Sequence, residues 1–316
     1  MRSFVDATES FWDSLSDITW SALALAIGCH LLKLCCTSRA WRNVLAAAYP
    51  EQKVRWRQIF AAYVSGVGIN AIIPARAGDV VRVVLAHRAI PGSSYTTVVT
   101  SQAVLAIVDM ACALLVFGWA LTQGVLPSID VLPSLPTFDY GWFIDHRRVS
   151  AALGIALLVL LVIGLLWVHR QWREFRARVA QAFTVLHPFS RYLRVVVFWQ
   201  LCDWALRLTV IWFFLGAFGI DQSIRNVLLV QATQSLATLV PATPGGIGTE
   251  QAFILYAFRN AGIGRSTLLA FSVGMRLTLT AVNAIVGFTA LLLTLGTIRY
   301  KSAAAPPPPD PEPTAQ

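Results

Sequence analysis

The sequence predicts an all-α integral membrane protein with about five spanning helices and two re-entrant helical hairpins arranged as an inverted repeat. The first observation is composition: of 316 residues, 56% are hydrophobic and only 13% are charged, which is too apolar for a soluble domain of this length. The second is a set of apolar stretches that approach the ~20 residues a helix needs to cross ~30 Å of hydrocarbon. The third is a pair of Pro-Gly breaks within apolar segments.

Five apolar stretches are predicted to span the membrane. The first of them follows an acidic segment, and no small-residue cleavage site comes after it, so we expect a helix there and not a secretory signal. In chain order the five stretches are Ile18–Cys36, Thr97–Leu121, Val149–Val168, Val195–Phe218 and Thr267–Gly296.

The two Pro-Gly breaks divide the chain into a repeat. Pro74 to Gly78 ends one apolar run, and Pro241 to Gly246 ends another. Each break is followed by a helical stretch of about 12 residues, which reaches ~18 Å and therefore crosses only half of the bilayer. We therefore predict that each break is the tip of a re-entrant hairpin. The predicted arms are Arg57–Ile73 with Asp79–Ile90, and Asn226–Val240 with Thr249–Asn260.

The distribution of arginine predicts the orientation of the chain. With two re-entrant hairpins, the basic segments 39–55 and 170–194 and the basic residues near 300 all fall on one side, as the positive-inside rule requires. The first hairpin then opens to the cytoplasm and the second to the outside, which makes the repeat inverted. We expect a protein of the bacterial inner membrane, with its N-terminus outside and its C-terminus in the cytoplasm.

These predictions define the expected units and two peripheral segments. Trp172 to Leu186 places apolar residues at helical spacing with arginine between them, which is typical either of an interfacial helix on anionic headgroups or of a solvated loop helix. The end of the chain carries four consecutive prolines and is expected to be disordered. The units are an extracytoplasmic segment 1–17, a transmembrane domain 18–299 (repeat A 18–121, connector 122–194, repeat B 195–296) and a cytoplasmic tail 300–316.

Several functions are not expected from this sequence. The net charge of +9 does not indicate a nucleic-acid partner, because the arginine clusters fall between apolar spans. All five cysteines lie in apolar spans, with no CxxC pair and no histidine at ligand spacing, so we expect no disulfide, metal or cofactor. Nucleophile elbows, phosphate loops and HExxH motifs are missing from the sequence, so we do not expect an enzyme.

Ionisable residues gather at the two breaks. Broken backbone in hydrocarbon costs several kcal/mol per unpaired group, so the breaks predict an internal cavity and not a packed proline kink. Arg82 lies in the first turn after its break, where the positive end of the helix dipole disfavours a cation. A bound anion would offset both the dipole and the charge of Arg82. The candidate substrate-binding residues are Arg76, Asp79, Arg82, Pro241, Gly245, Gly246, Glu250 and Arg276.

Structural roles are also open for some of these residues. Asp79 or Thr249 would serve equally well as a helix N-cap, and Glu250 as a first-turn acid that complements the helix dipole. Asp203 and Arg207 lie four residues apart on one predicted helix, so a structural ion pair explains them better than a binding role.

The segments Asn70–Arg82 and Pro241–Glu250 resemble the paired motifs of the lysylphosphatidylglycerol synthase transmembrane-region family. Arg276 matches an arginine in the helix that follows the second motif of that family. The resemblance covers nearly the whole chain and implies a stand-alone module similar to a lipid flippase. It does not imply synthase activity, which belongs to a separate soluble domain in the fused members.

Three hypotheses follow for function. In the leading one, the protein binds and translocates an anionic phospholipid or a polyprenyl-phosphate-linked lipid, with Arg76, Arg82 and Arg276 holding phosphate and Asp79 and Glu250 pairing with them otherwise. The second is a secondary transporter of a small soluble anion. The third is a non-transporting membrane partner of an envelope-lipid enzyme. An opening between helices towards lipid would favour the first, and a closed aqueous vestibule the second.

Overall fold

The computed structural model describes residues 19–73, 76–123, 172–186, 189–239 and 248–303. These residues are mostly helical and contain no strand, which confirms the all-α prediction. The helix Phe189–Ala217 is continuous but is π-helical between Leu193 and Val197. The helices are α1 (Trp20–Ala48), α2 (Trp56–Ile72), α3 (Ala77–Ala89), α4 (Tyr95–Thr122), α5 (Trp172–Ala182), α6 (Phe189–Ala217), α7 (Ile224–Leu239), α8 (Thr249–Ala257) and α9 (Arg265–Ala303), with a 3₁₀ turn at Thr184–Leu186 after α5.

Within the described ranges, four helices are long and apolar enough to cross a membrane: α1, α4, α6 and, over Arg265–Thr294, α9. The hairpin arms are shorter, with 17 residues in α2 and 13 in α3, and 16 in α7 and 9 in α8. At 1.5 Å per residue, none of these arms reaches across ~30 Å of hydrocarbon. The fifth predicted span, Val149–Val168, lies outside the described residues, as do segment 1–17 and the chain after residue 303.

The first spanning helix is longer than the apolar pattern predicts. It continues past Cys36 to Ala48, through a segment that contains Arg39 and Arg42. The apolar side of this extension is buried, with Trp41 at 1% exposure, while long basic side chains can extend from the same helix to polar surroundings. The hydropathy pattern therefore underestimates the length of this helix, because its side chains continue to pack against the bundle where the mean hydropathy falls.

The helices pack reciprocally, as expected for two repeats related by an approximate twofold axis. Helix α1 packs along α6, its counterpart in the second repeat. The first arm of each hairpin contacts the last helix of the other repeat, so that α2 packs on α9 and α7 packs on α4. This exchange brings both hairpins into one helical bundle.

Two apolar cores lie at opposite ends of this bundle. One core joins the C-terminal half of α1 to α2, α3 and the start of α6, and includes Trp41 and Tyr192. The other joins the C-terminal half of α6 to α7, α8 and α9, and includes Phe214 and Phe271. Both α1 and α6 contribute residues to each core. The middle turns of these two helices therefore lie between the cores, and polar side chains collect at those turns.

Candidate functional site

The first hairpin turns through Arg76, which is the residue that precedes α3. Arg76 has φ 56° and ψ 31°, in the left-handed region. Among the described residues it is the one non-glycine residue with positive φ. For an L-residue this conformation costs roughly 1–2 kcal/mol, and strain of this kind often marks a functional position. Pro74 and Ala75 lie outside the described residues.

The two arms of this hairpin are joined by Asn70 of α2. Its side-chain oxygen accepts a hydrogen bond of 2.8 Å from the Gly78 backbone N–H, and its amide nitrogen donates one of 2.8 Å to Asp79. Asp79 also pairs with Arg82 at 3.2 Å. The N-cap alternative for Asp79 is wrong, because Arg76 holds the N-cap position and Asp79 lies in the first turn of α3.

A cavity of about 750 Å³ lies between α3, α4 and the middle of α1. We call it the lateral cavity. Its charged lining consists of Arg76, Asp79 and Arg82 from the first hairpin and Asp109 from α4. Its remaining walls include Thr37, Trp41, Tyr63, Val80, Val99, Ala103 and Ala106.

The second hairpin places its acid in a different setting. Glu250 is 8% exposed and pairs with Arg276 of α9 at 2.9 Å. Gln234 of α7 donates a hydrogen bond of 3.0 Å to the other oxygen of the same carboxylate. Gly248 is the N-cap of α8, so the N-cap alternative for Thr249 is also wrong, and Glu250 lies in the first turn as the dipole argument expected.

A cluster of charged side chains lies between the two cores, and we call it the central cluster: Lys33, Asp109, Asp203 and Arg207. Lys33, Asp109 and Asp203 lie at or next to the midpoints of α1, α4 and α6. Arg207 contacts Asp203 at 3.0 Å and Asp109 at 3.9 Å. Trp204 donates a hydrogen bond of 2.8 Å to Asp109, and the Arg207 guanidinium stacks on the Trp204 ring. The predicted Asp203–Arg207 pair is confirmed, as one part of this larger arrangement.

A second cavity, of about 360 Å³, lies beyond the central cluster, and we call it the inner cavity. On α1 the lateral cavity is lined by Thr37 and Trp41 and the inner cavity by His30 and Lys33, so the two cavities follow one another along this helix. The rest of the inner cavity consists of Arg207, Val210, Ile211, Gln231, Gln234, Ser235, Met275 and Leu279.

The structure brings together only some of the predicted site residues. Arg76, Asp79 and Arg82 share the lateral cavity, whereas Glu250 and Arg276 form a separate pair in the second repeat. Pro241, Gly245 and Gly246 lie outside the described residues. The sequence reasoning missed Lys33, although a single lysine within an apolar span carries the same signal that singled out Asp203 and Arg207.

These features define a multi-pass helical membrane protein built from two hairpin-containing repeats, with charged residues lining cavities inside the bundle. The chain belongs to the lysylphosphatidylglycerol synthase transmembrane-region family, since the profile described as "Lysylphosphatidylglycerol synthase TM region" matches residues 4–287. The family confirms the resemblance carried by the two Pro-Gly motifs and is consistent with a protein related to membrane lipids. No curated protein and no solved structure shows significant similarity to the chain.

Proposed function

We propose that this protein binds the anionic headgroup of a membrane lipid in the lateral cavity and translocates the lipid, without catalysing a reaction on it. The observation that carries this proposal is the opening of a charged cavity towards the lipid-facing side of a spanning helix. Val80 and Val99 line the cavity and are 65% and 54% exposed. Val99, Ala103 and Ala106 lie on one face of α4, at a spacing of four and three residues.

Such an apolar rim suits a lipid better than a soluble ion. A headgroup inside the cavity would leave its acyl chains between α3 and α4, where the exposed valine and alanine side chains meet hydrocarbon. A volume of about 750 Å³ is ample for a phosphate-containing headgroup and lies within the usual range for ligand sites.

The charges of the cavity support an anionic headgroup. Arg82 reaches only one carboxylate among the described residues, at 3.2 Å from Asp79, and its Nε is buried without a hydrogen-bond partner there. Both partners of this pair are partly exposed, 23% for the Arg82 side chain and 33% for Asp79. An exposed pair of this kind is worth little, so a phosphate group can take Arg82 from Asp79 at small cost and gain charge-assisted hydrogen bonds.

Translocation in proteoliposomes tests the proposal. The protein would be reconstituted into phosphatidylcholine vesicles with fluorescent phosphatidylglycerol or, as a control lipid, fluorescent phosphatidylcholine, and the loss of fluorescence to an impermeant quencher followed. We expect selective movement of the anionic lipid. Arg82→Gln should slow it about tenfold or more, as expected for loss of a charge-assisted hydrogen bond. Arg88→Gln is the matched control, because Arg88 is exposed on the same helix and does not line the cavity.

Two results would count against the lipid proposal. Equal slowing by Arg88→Gln would show that general helix charge matters, and not the cavity. If wild-type protein moves neither lipid while the same vesicles accumulate a soluble anion, a small-anion transporter is the better description. The inner cavity is the observation that favours this second candidate, since three of its four apolar lining residues, Val210, Ile211 and Met275, are buried.

We also propose that the protein lies in the inner membrane with the two hairpins opening to opposite sides. Arg88, in the last turn of α3, and Asn260, after α8, are both exposed. Single cysteines at these positions, in a background without the native cysteines, should react with impermeant thiol reagents from opposite sides: Arg88→Cys from the cytoplasm and Asn260→Cys from the outside. Reaction of both from one side would exclude the inverted arrangement.

A further inference from the structure

We propose that the inner cavity is a second anion-binding site, centred on Lys33, that takes the phosphate of a hydroxyl-bearing headgroup or of a free organic phosphate. This inference rests on the proposed function and adds to it a binding position on the other side of the central cluster. Its central residues, Lys33 and Gln231, do not line the lateral cavity.

The charge of the lining distinguishes the two cavities. The lateral cavity is lined by two arginines and two carboxylates, so its formal charge is balanced. The inner cavity is lined by Lys33 and Arg207, with His30 beside them, and no carboxylate belongs to its described lining. The described wall therefore offers an anion two cationic groups and no carboxylate, although Arg207 is also paired with Asp203 at 3.0 Å.

Lys33 itself is the cation most open to a ligand. It lies next to the midpoint of α1 and is partly buried. Its backbone carbonyl accepts a hydrogen bond of 3.2 Å from Thr37. Within the described part of the chain its ammonium group makes no hydrogen bond and no ion pair within 4 Å, although Asp203, Arg207 and Asp109 influence it electrostatically. A charged group at membrane depth is costly unless it is paired or hydrogen-bonded, and three ammonium donors facing a cavity match the oxygens of a phosphate.

Gln231 adds a preference for a hydroxyl group. It is 3% exposed, lines the inner cavity, and its amide nitrogen donates a hydrogen bond of 3.2 Å to Ser235. Its amide oxygen is buried and accepts no hydrogen bond from the described residues. A buried acceptor without a donor is unfavourable, so a ligand that offers an O–H beside its phosphate fits this wall better than phosphate alone.

The central cluster connects this site to the lateral cavity. Asp109 lines the lateral cavity, Arg207 lines the inner cavity, and the two are 3.9 Å apart. This separation is at the limit of an ion pair, so a phosphate in the inner cavity can compete with Asp109 for Arg207 without first breaking the closer contact between Arg207 and Asp203 at 3.0 Å. The arrangement provides successive partners for one anion along α1.

Binding of sn-glycerol 3-phosphate to the full-length protein in phosphatidylcholine nanodiscs tests the site, by isothermal titration calorimetry. Methyl phosphate is the probe without a free hydroxyl, and short-chain phosphatidylglycerol is the lipid probe. Lys33→Gln should weaken binding of glycerol phosphate about tenfold or more, as expected for a charge-assisted contact, and Lys33→Arg should restore most of it. Lys53→Gln, at an exposed lysine outside both cavities, should bind as wild type does.

Gln231→Leu provides a variant that leaves every charge in place. It should weaken binding of glycerol phosphate about fivefold, the effect of one lost hydrogen bond, and leave methyl phosphate unchanged. This variant also covers the case in which Lys33→Gln does not fold. If the lipid probe shows binding that depends on Lys33 and glycerol phosphate does not bind, the occupant is a lipid headgroup. If both probes show binding that depends on Lys33, a free organic phosphate is accepted as well.

The outcomes separate this inference from the proposed function. Binding of all probes to Lys33→Gln or Gln231→Leu with wild-type affinity would overturn the inner site, whatever the lipid assay shows. If Arg82→Gln abolishes lipid movement while Lys33→Gln binds glycerol phosphate normally, only the inner site fails. If Lys33→Gln loses binding while Arg82→Gln still moves lipid, the inner site stands and the lateral cavity loses its role.

Discussion

The two hairpins of the repeat use similar side chains in different ways. In the first hairpin, Asp79 and Arg82 belong to the same helix, pair at 3.2 Å and are both partly exposed in a cavity. In the second, Glu250 is 8% exposed and pairs at 2.9 Å with Arg276 of the following spanning helix. Both carboxylates also accept a hydrogen bond from an amide of the other arm, Asp79 from Asn70 and Glu250 from Gln234.

This difference shows that a repeated motif need not have a repeated role. An ion pair between residues three positions apart on one helix does not by itself tie that helix to another, and it contributes only ~0.2–0.5 kcal/mol. The second pair joins a buried acid to an arginine of another helix, with the Glu250 side chain 10% and the Arg276 side chain 29% exposed. It holds two elements together, and removal of the arginine leaves an uncompensated buried carboxylate. The first arginine is therefore available to a ligand, while the second is mainly a tertiary contact.

The largest effect should come from the backbone contact that holds the first hairpin closed. A Cβ added to Gly66 would lie 2.6 Å from the Gly78 carbonyl oxygen, and one added to Gly78 would lie closer still to the Gly66 carbonyl oxygen. Both clashes involve backbone, which cannot move aside as a side chain can. We expect Gly78→Ala to lower the free energy of unfolding by about 3 kcal/mol, the upper part of the overpacking range, measured by unfolding in mixed micelles.

Gly118→Ala is the control for this prediction. Gly118 is helical in α4, and a Cβ there would meet nothing within 4 Å. The variant should be neutral or slightly more stable, since alanine is the better helix former. If Gly78→Ala is as stable as Gly118→Ala, the two arms are not closely packed and the description of the first hairpin is wrong.

A smaller effect should separate the two ion pairs. A double-mutant cycle with Glu250→Gln and Arg276→Gln should give a coupling energy of about 1.5–3 kcal/mol, as for hydrogen bonds to charged groups. The matching cycle with Asp79→Asn and Arg82→Gln should give ~0.5 kcal/mol or less, as for partly exposed pairs. Both cycles would be measured as free energies of unfolding under one set of conditions. Equal coupling energies would remove the contrast between the hairpins.

The sequence predicted those parts of the molecule that depend on local patterns. The Pro-Gly breaks placed the arms α2, α3 and α7 within two residues of their observed bounds, because helix ends at such breaks are set by backbone chemistry. Asp79 and Glu250 pair with arginines as predicted, because few partners are available to an acid at membrane depth.

The contacts between spanning helices and the cavities between them depend on how the helices pack side by side. The sequence pattern of a single helix does not determine that packing. Lys33, Asp109 and Asp203 meet only because α1, α4 and α6 are aligned at their middle turns. The same alignment separates Arg276 from Arg82 and creates two cavities where the sequence suggested one site. A set of charges in different spans predicts that partners exist, but the register between helices decides which charges become partners.

The smallest predicted effect concerns Arg76 and has opposite signs for stability and binding. Arg76 has φ 56°, a conformation that glycine adopts without steric cost. Relief of the strain should outweigh the larger entropy of glycine in the unfolded chain, so we expect Arg76→Gly to raise the free energy of unfolding by about 0.5 kcal/mol. Loss of the guanidinium from the lateral cavity should at the same time slow movement of anionic lipid, an exchange of stability for function.

Arg76→Gln retains the strain and removes the charge, so it should slow transport without any gain in stability. If Arg76→Gly instead destabilises the protein and transports lipid normally, Arg76 serves the fold of the hairpin and not its ligand.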